Sequence, residues 1–293
     1  LNVALSGVNG LLFPKKATLK KRIGLPTPRG GCCVGRNWKF FVAILGTELR
    51  FRILPQPDWT TCGPTCLHAV YRYYGEKIDL RQVVRDTPQW ERGGTLNVLL
   101  GLHALRRGYD ATLYTYNLKV FDPSWFRNGR LATTDLERKL KKQAESKVSR
   151  KLRAATPAYL DFIKLGGEIR LCDLTHSLIR SLLKRGLPVL TGLNATYLYR
   201  CRREWGPHNR FDAIRGEPMG HFVVLCGYES RSRRVQVADP LQPNPVSSRR
   251  KYFVGIERLL CAILLGIVTY DGNLLVIQPK GWKASHGDLV GCK

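Results

Sequence analysis

The sequence predicts an α+β fold, and three observations carry that expectation. Apolar residues recur at helical spacing early in the orderly part of the chain, as at Leu67, Val70 and Tyr74. Later the pattern changes to two apolar stretches, His221–Glu229 and Arg234–Ala238, joined by a tight turn near Ser230–Arg233. No internal repeat links the two halves, so helices and antiparallel strands belong to one mixed domain and not to a repeat array.

Each element has a local reason. A helix opens at Cys62-Gly63-Pro64-Thr65 and stops at Gly75. Pro64 lies in the first turn, where a missing N–H is tolerated, and Gly75 suits the C-terminal cap. A short helix follows Asp79, and a third follows the N-cap candidate Thr95 and ends near Gly108. Tyr109–Tyr116 alternates and is rich in aromatic and β-branched residues, which predicts a strand. Thr133–Arg153 reads as one strongly basic surface helix, capped by Thr133 or Thr134, with Leu131, Leu136, Leu140, Ala144 and Val148 as a narrow apolar stripe. Asp173–Arg185 is a further helix leading into the strand Leu187–Leu193. At the end, Ile256–Gly266 reads as a helix, and Ile267–Tyr270 with Leu274–Ile277 as a terminal hairpin.

Composition changes near residue 50. Residues 1–48 are rich in Gly, Pro and Lys and lack sustained periodicity, with a basic cluster at Lys15–Arg22 and a short apolar run at Phe40–Gly46. They are expected to form a basic, poorly ordered extension. Residues 51–280 are expected to form the folded domain, with the basic helix 133–153 as an insertion and 281–293 as a tail. The formal charge of +26 is uneven: residues 1–50 contribute +8 and residues 127–153 contribute +7. Such patches attract acidic peptides, phosphates or anionic surfaces, or simply solvate a face. The longest apolar stretch near the C-terminus, Leu259–Val268, is about half the length a bilayer needs, so no membrane span is expected. The nine cysteines are odd in number and scattered through core-like segments, which favours a reducing, cytoplasmic compartment over a disulfide framework. Cys32-Cys33 has no second pair at ligand spacing, so no zinc site and no other cofactor is expected.

The chemistry-bearing residues lie in three short blocks. A thiol acyl-transfer enzyme needs a nucleophile, a base, a group orienting that base, and donors for the oxyanion. Cys62 falls at a helix start, where unpaired N–H groups and the helix dipole favour negative charge. Gln56, six positions earlier, can loop back so that its amide joins the Cys62 backbone N–H as an oxyanion donor. His221 opens a buried strand in Gly220-His221-Phe222-Val223-Val224-Leu225, and Asp239 ends the next strand in Val237-Ala238-Asp239-Pro240. Antiparallel pairing brings these two together as an imidazole and its orienting carboxylate. Blander readings stand beside this one: His221 as a structural histidine, Asp239 as a turn starter before Pro240, and Cys66 as a core residue one turn beyond Cys62.

The blocks Gln-x5-Cys-Gly-Pro-Thr-Cys, Gly-His-Phe-Val-Val-Leu-x-Gly-Tyr and Val-Ala-Asp-Pro resemble the signature blocks of the bacteriocin-processing cysteine peptidases. They are most similar to the stand-alone peptidase C-39-like relatives of that family. The resemblance runs from about Phe51 to Pro279. It implies a papain-like fold, a triad of Cys62, His221 and Asp239, and Gln56 in the oxyanion hole. The leader-cleaving members are fused to a membrane transporter and an ATPase. This sequence shows neither spans nor a phosphate-binding loop, so their double-glycine specificity does not carry over.

The expected function is therefore hydrolysis of a peptide or peptide-like amide without a metal or organic cofactor. The expected partner is a peptide or protein substrate, acidic if helix 133–153 borders the cleft. The rivals are a catalytically silent peptide-binding module on the same scaffold, and a basic nucleic-acid-binding protein. The latter has no finger spacing or stacking motif to support it.

Overall fold

The computed structural model describes residues 46–89, 94–131, 135–206, 210–269 and 272–282. The extension's first 45 residues, the candidate caps Thr133 and Thr134, Cys32-Cys33 and nearly all of the tail lie outside them. The chain enters with β1 (Thr47–Glu48), followed by α1 (Cys62–Tyr73), α2 (Leu80–Asp86) and α3 (Asn97–Arg106). Next come β2 (Tyr109–Thr115), the short strands β3 (Phe126–Arg127) and β4 (Arg130–Leu131), and the helices α4 (Leu136–Ser146) and α5 (Arg150–Lys164). β5 (Glu168–Arg170), α6 (His176–Lys184), β6 (Val189–Asn194) and α7 (Ala195–Tyr199) follow, then the hairpin β7 (Glu204–Trp205) and β8 (Arg210–Phe211). β9 (Gly220–Glu229), β10 (Arg234–Ala238), β11 (Lys251–Gly255), α8 (Ile256–Leu265) and β12 (Asn273–Pro279) complete the described chain.

One large sheet runs in the order β11-β10-β9-β6-β12-β2-β5-β4-β3, with β1 also paired to β9. All its pairings are antiparallel except β2 with β5. The α+β expectation holds, and the arrangement is papain-like: a helix bearing Cys62 packs on an antiparallel sheet bearing His221 and Asp239. α1 is buried from Cys62 through Tyr71, so it is an internal helix and not an amphipathic surface one. Its C-terminus closes at Gly75, whose φ of +87° belongs to the left-handed region that glycine enters without a Cβ penalty. β9 is buried from His221 to Tyr228, consistent with a central strand covered on both faces and read as a continuous apolar run.

Three expected elements are corrected. The basic helix is two helices, broken at Lys147–Ser149, because Ser149 adopts an extended backbone and its hydroxyl accepts the Leu152 N–H at 3.3 Å as an N-cap. Val148, assigned to the apolar stripe, is fully exposed in this break, whereas Leu136 and Leu140 are buried. The terminal hairpin does not form. Gly266–Thr269 is a 3₁₀ turn, and β12 lies between β2 and β6, pairing with β2 along its whole length. Its partners are distant in sequence, so no local turn signal marks them. Asp173–Arg185 is shortened at its start, since Thr175 caps α6 by accepting the Leu178 N–H.

The thiols divide. Cys62, Cys66, Cys201, Cys226 and Cys261 are free, whereas Cys172 is disulfide-bonded, which the reading of a reducing compartment did not anticipate. Among the described residues no helix is long and apolar enough to cross a membrane.

Candidate active site

Cys62 is the first residue of α1, so its backbone N–H has no intrahelical acceptor. The turn before it is held by Asp58, whose side chain accepts from the Thr60 N–H at 2.8 Å and the Thr60 hydroxyl at 2.7 Å. Gly63 explains the residue after the thiol. A Cβ there would stand 2.5 Å from Thr95 Cγ2 and 3.3 Å from the Phe222 ring, so glycine lets the helix start press closely against Thr95 with Phe222 of β9 alongside. One turn on, the Cys66 thiol donates to the Phe222 carbonyl at 3.3 Å and fastens the same contact. Burial, followed by the charges of Cys62 and Asp239, pushes the Cys66 thiol well above the ordinary range. It is a neutral core residue.

His221 stands on β9 opposite Leu193 of β6, and Asp239 is the residue after β10. Their meeting depends on an irregularity. The β9–β10 register runs Arg234↔Glu229 to Gln236↔Gly227, then shifts to Val237↔Leu225, leaving Cys226 as an extra residue. In an unbroken hairpin, Asp239 would fall opposite Val224 and face away from His221, because side chains alternate along a strand. The bulge turns Asp239 onto the face shared by Val223 and His221. The His221 Nε2–Asp239 Oδ1 distance is 2.9 Å.

Asp239 is fully buried and heavily bonded. Oδ1 also accepts from the Leu241 N–H at 3.0 Å. Oδ2 accepts from the Tyr199 hydroxyl at 2.8 Å, the Tyr252 hydroxyl at 2.6 Å and the Asn244 amide at 2.9 Å. Burial opposes its charge, but the His221 charge and these donors outweigh burial and hold the carboxyl below its ordinary range. Burial likewise opposes charge on His221, yet Asp239 and then Cys62, through attraction and hydrogen bonding, raise it from 6.5 to about 10. Nε2 is committed to Asp239, which leaves Nδ1 as the nitrogen for the Cys62 sulfur. Cys62 and His221 are buried, retaining 7% and 6% exposure.

The Gln56 N–H donates to the Pro240 carbonyl at 2.9 Å, placing it beside the segment that carries Asp239. Its side chain departs from the expectation in one respect. The amide Nε2 donates to the Asp58 carbonyl at 2.8 Å, and Oε1 is buried without a partner. Sequence reading missed Tyr199, Asn244 and Tyr252, and no local signal marks them, since they come from α7, from the loop after Asp239 and from β11. The other described histidines stand elsewhere: the His103 Nδ1–Tyr71 hydroxyl distance is 2.8 Å, His68 Nε2 is 3.1 Å from the Ile78 carbonyl, and His176 Nε2 is 3.4 Å from the Ser177 hydroxyl. The expected basic helical insertion 133–153 is remote from this site. Lys139 lies over Trp125, Gln143 bonds the Val120 carbonyl and α4 packs on α5, all at the β2–β3 end of the sheet and not at the β9–β10 end.

A thiol at a helix start and a buried imidazole–carboxylate pair on an antiparallel sheet are groups that a thiol-dependent hydrolase uses. Residues 48–258 match the Peptidase_C39 like family, and the chain belongs to that family. No curated protein matches it. Solved structures similar to it include a C39-like peptidase from Bacillus anthracis, at 12% identity and TM-score 0.43, covering 82% of this chain and 99% of that one. Xylellain, a cysteine protease from Xylella fastidiosa, is 13% identical with TM-score 0.39, covering 82% of this chain and 89% of that one. A double glycine motif protease from an AMS/PCAT transporter, in complex with its leader peptide, is 16% identical with TM-score 0.37, covering 81% and 99%. These likenesses are distant, and the assignment rests on the family match.

Proposed function

We propose that this peptidase cleaves an amide bond of a peptide substrate with Cys62 as nucleophile, His221 as acid–base and Asp239 as the group that orients His221. The observation that supports the reading is the buried His221 Nε2–Asp239 Oδ1 contact at 2.9 Å, with Cys62 near enough at the helix start to favour charge on His221. The Cys62 sulfur, held as thiolate beside the His221 imidazolium, attacks the scissile carbonyl carbon. The oxyanion that forms is met by the Cys62 N–H at the helix start and by the second N–H of the Gln56 amide, the first being engaged with Asp58. Collapse of the tetrahedral adduct breaks the C–N bond, and the imidazolium proton passes to the departing amine. Water then attacks the thioester, losing a proton to the neutral His221. The acid leaves, and thiolate and imidazolium are restored. Asp239, with all its donors directed at its carboxylate, stays ionised throughout.

Iodoacetamide tests this without a known substrate. Near pH 6 it should modify Cys62 faster than any other cysteine, and His221→Ala should slow that modification at least tenfold. Faster labelling of Cys66, or indifference to His221→Ala, would overturn the assignment.

A further inference from the structure

Beside the site runs a groove of about 770 Å³ between the chain at 48–54 and the strands β10 and β11. It is lined by Arg52, Arg249, Arg250 and Lys251, with Leu54 and Phe253 as its exposed apolar side chains. Its carboxylate, Glu48, is taken by Lys251 at 3.3 Å. Arg250 is committed to its own walls, donating to the Ile53 carbonyl at 2.9 Å. Arg52 and Arg249 are exposed and make no ion pair among the described residues. Elsewhere on the surface many cations do have partners, as Arg138 has in Asp135 and Lys141 in Glu137.

The groove shares its walls with the site. The chain segment containing Leu54 leads within two residues to Gln56, about 7 Å of extended chain. The opposite wall is fastened where Asp239 donates its N–H to the Arg250 carbonyl at 2.8 Å, and Gln56 donates to Pro240 at 2.9 Å. β11 pairs with β10 alone among the described strands, so its outer edge faces outward.

We propose that this groove binds an extended, acidic and partly apolar segment of the substrate. Carboxylates would pair with Arg52 and Arg249, and apolar side chains would lie on Leu54 and Phe253. Guanidinium–carboxylate pairing gives the acid preference, and the apolar contacts separate this occupant from a purely ionic one. As a statement about substrate it rests on the peptidase reading above, but the binding itself does not.

The test therefore measures binding on the full chain carrying Cys62→Ala. Fluorescence anisotropy would follow a labelled peptide of alternating Glu and Leu, a Lys/Leu counterpart and a single-stranded oligonucleotide. The Glu/Leu peptide should bind at least tenfold tighter than the Lys/Leu peptide. Arg52→Gln with Arg249→Gln should weaken it at least tenfold, whereas Lys139, Lys141 and Lys142→Gln should leave it unchanged. Unchanged binding in the double arginine variant overturns the proposal. So does an oligonucleotide that binds as tightly with the same arginine dependence, which would assign the groove to nucleic acid. If the Glu/Leu peptide binds as stated but wild-type Cys62 shows no enhanced alkylation, the groove stands and the catalytic reading falls.

Discussion

The two ends of the central sheet use charge in opposite ways. At the β3–β5 end, α4 and α5 carry a dense run of Lys and Arg, and the ion pairs there are exposed: Arg138 with Asp135, Lys141 and Lys164 with Glu137. Such pairs contribute about 0–1 kcal/mol each, because water screens them and long side chains lose entropy to form them. At the β9–β11 end a single buried carboxylate, Asp239, fixes a histidine, and five donors converge on it. Low dielectric makes that arrangement sensitive to every partner. Charge on the α4–α5 face therefore lies in solvent, whereas at Asp239 the fold has buried an ionisable group and then satisfied it.

The strongest way to test the contrast is Asp239→Asn. Loss of the orienting charge should reduce hydrolysis by about 10²- to 10⁴-fold. It should also flatten the pH dependence of stability. His221 is raised from 6.5 to about 10, so its share is fully present below 6.5 and is lost as pH rises toward 10. Asp239 is lowered from 3.8, so its share is present above 3.8 and lost as pH falls through its lowered value. The advantage of wild type over Asp239→Asn should thus be greatest between 3.8 and 6.5, as read by urea unfolding across pH. An advantage that grows from pH 7 to 10 would contradict the pairing.

Gly63→Ala comes next. The added methyl must displace Thr95 or move the helix start, costing about 1–3 kcal/mol in denaturant unfolding. It should also slow alkylation of Cys62 relative to Cys261, because the thiol shifts away from His221. Full reactivity in the variant would show that the close approach at Gly63 is not what sets the thiol.

Tyr252→Phe is smaller and more specific. Removing a buried hydroxyl that donates to a carboxylate costs about 2 kcal/mol. It removes one of the groups that keep Asp239 ionised, so the acid limb of the Cys62 alkylation profile should move to higher pH. Asp239 is charged on both sides of the His221 titration, so the alkaline limb should stay in place. Loss of stability with both limbs fixed would reduce Tyr252 to a packing role.

At the other end of the sheet, replacing Lys139, Lys141 and Lys142 with Gln should change stability by no more than about 0.5 kcal/mol. Hydrolysis of acidic and neutral peptides should alter less than twofold. A larger loss confined to acidic peptides would restore the expectation that the basic helix engages substrate. We also propose that the folded domain begins with β1, since Thr47–Glu48 pairs with β9 and the Leu49 N–H donates to Cys226 at 2.8 Å. Limited proteolysis should leave a core that retains Thr47.

The sequence by itself determined the parts set by local rules. Cys62 at a helix start, Gly75 as its stop, the Asp79 cap, the apolar continuity of β9 and the two-strand block carrying His221 and Asp239 all follow from interactions within a few residues. The tertiary structure decided what depends on distant partners. The bulge at Cys226 sets the parity that lets Asp239 face His221, and it arises from strand pairing, not from any residue type nearby. The same holds for Tyr199, Asn244 and Tyr252, and for β12, which joins β2 and β6 instead of a local hairpin. The break that Ser149 makes after Val148 was not read from the sequence, because the helix periodicity there favours one continuous element. A short-range pattern records what the backbone prefers; which face a side chain finally occupies is decided by the register of strands far apart in the chain, and register is a property of the assembled sheet.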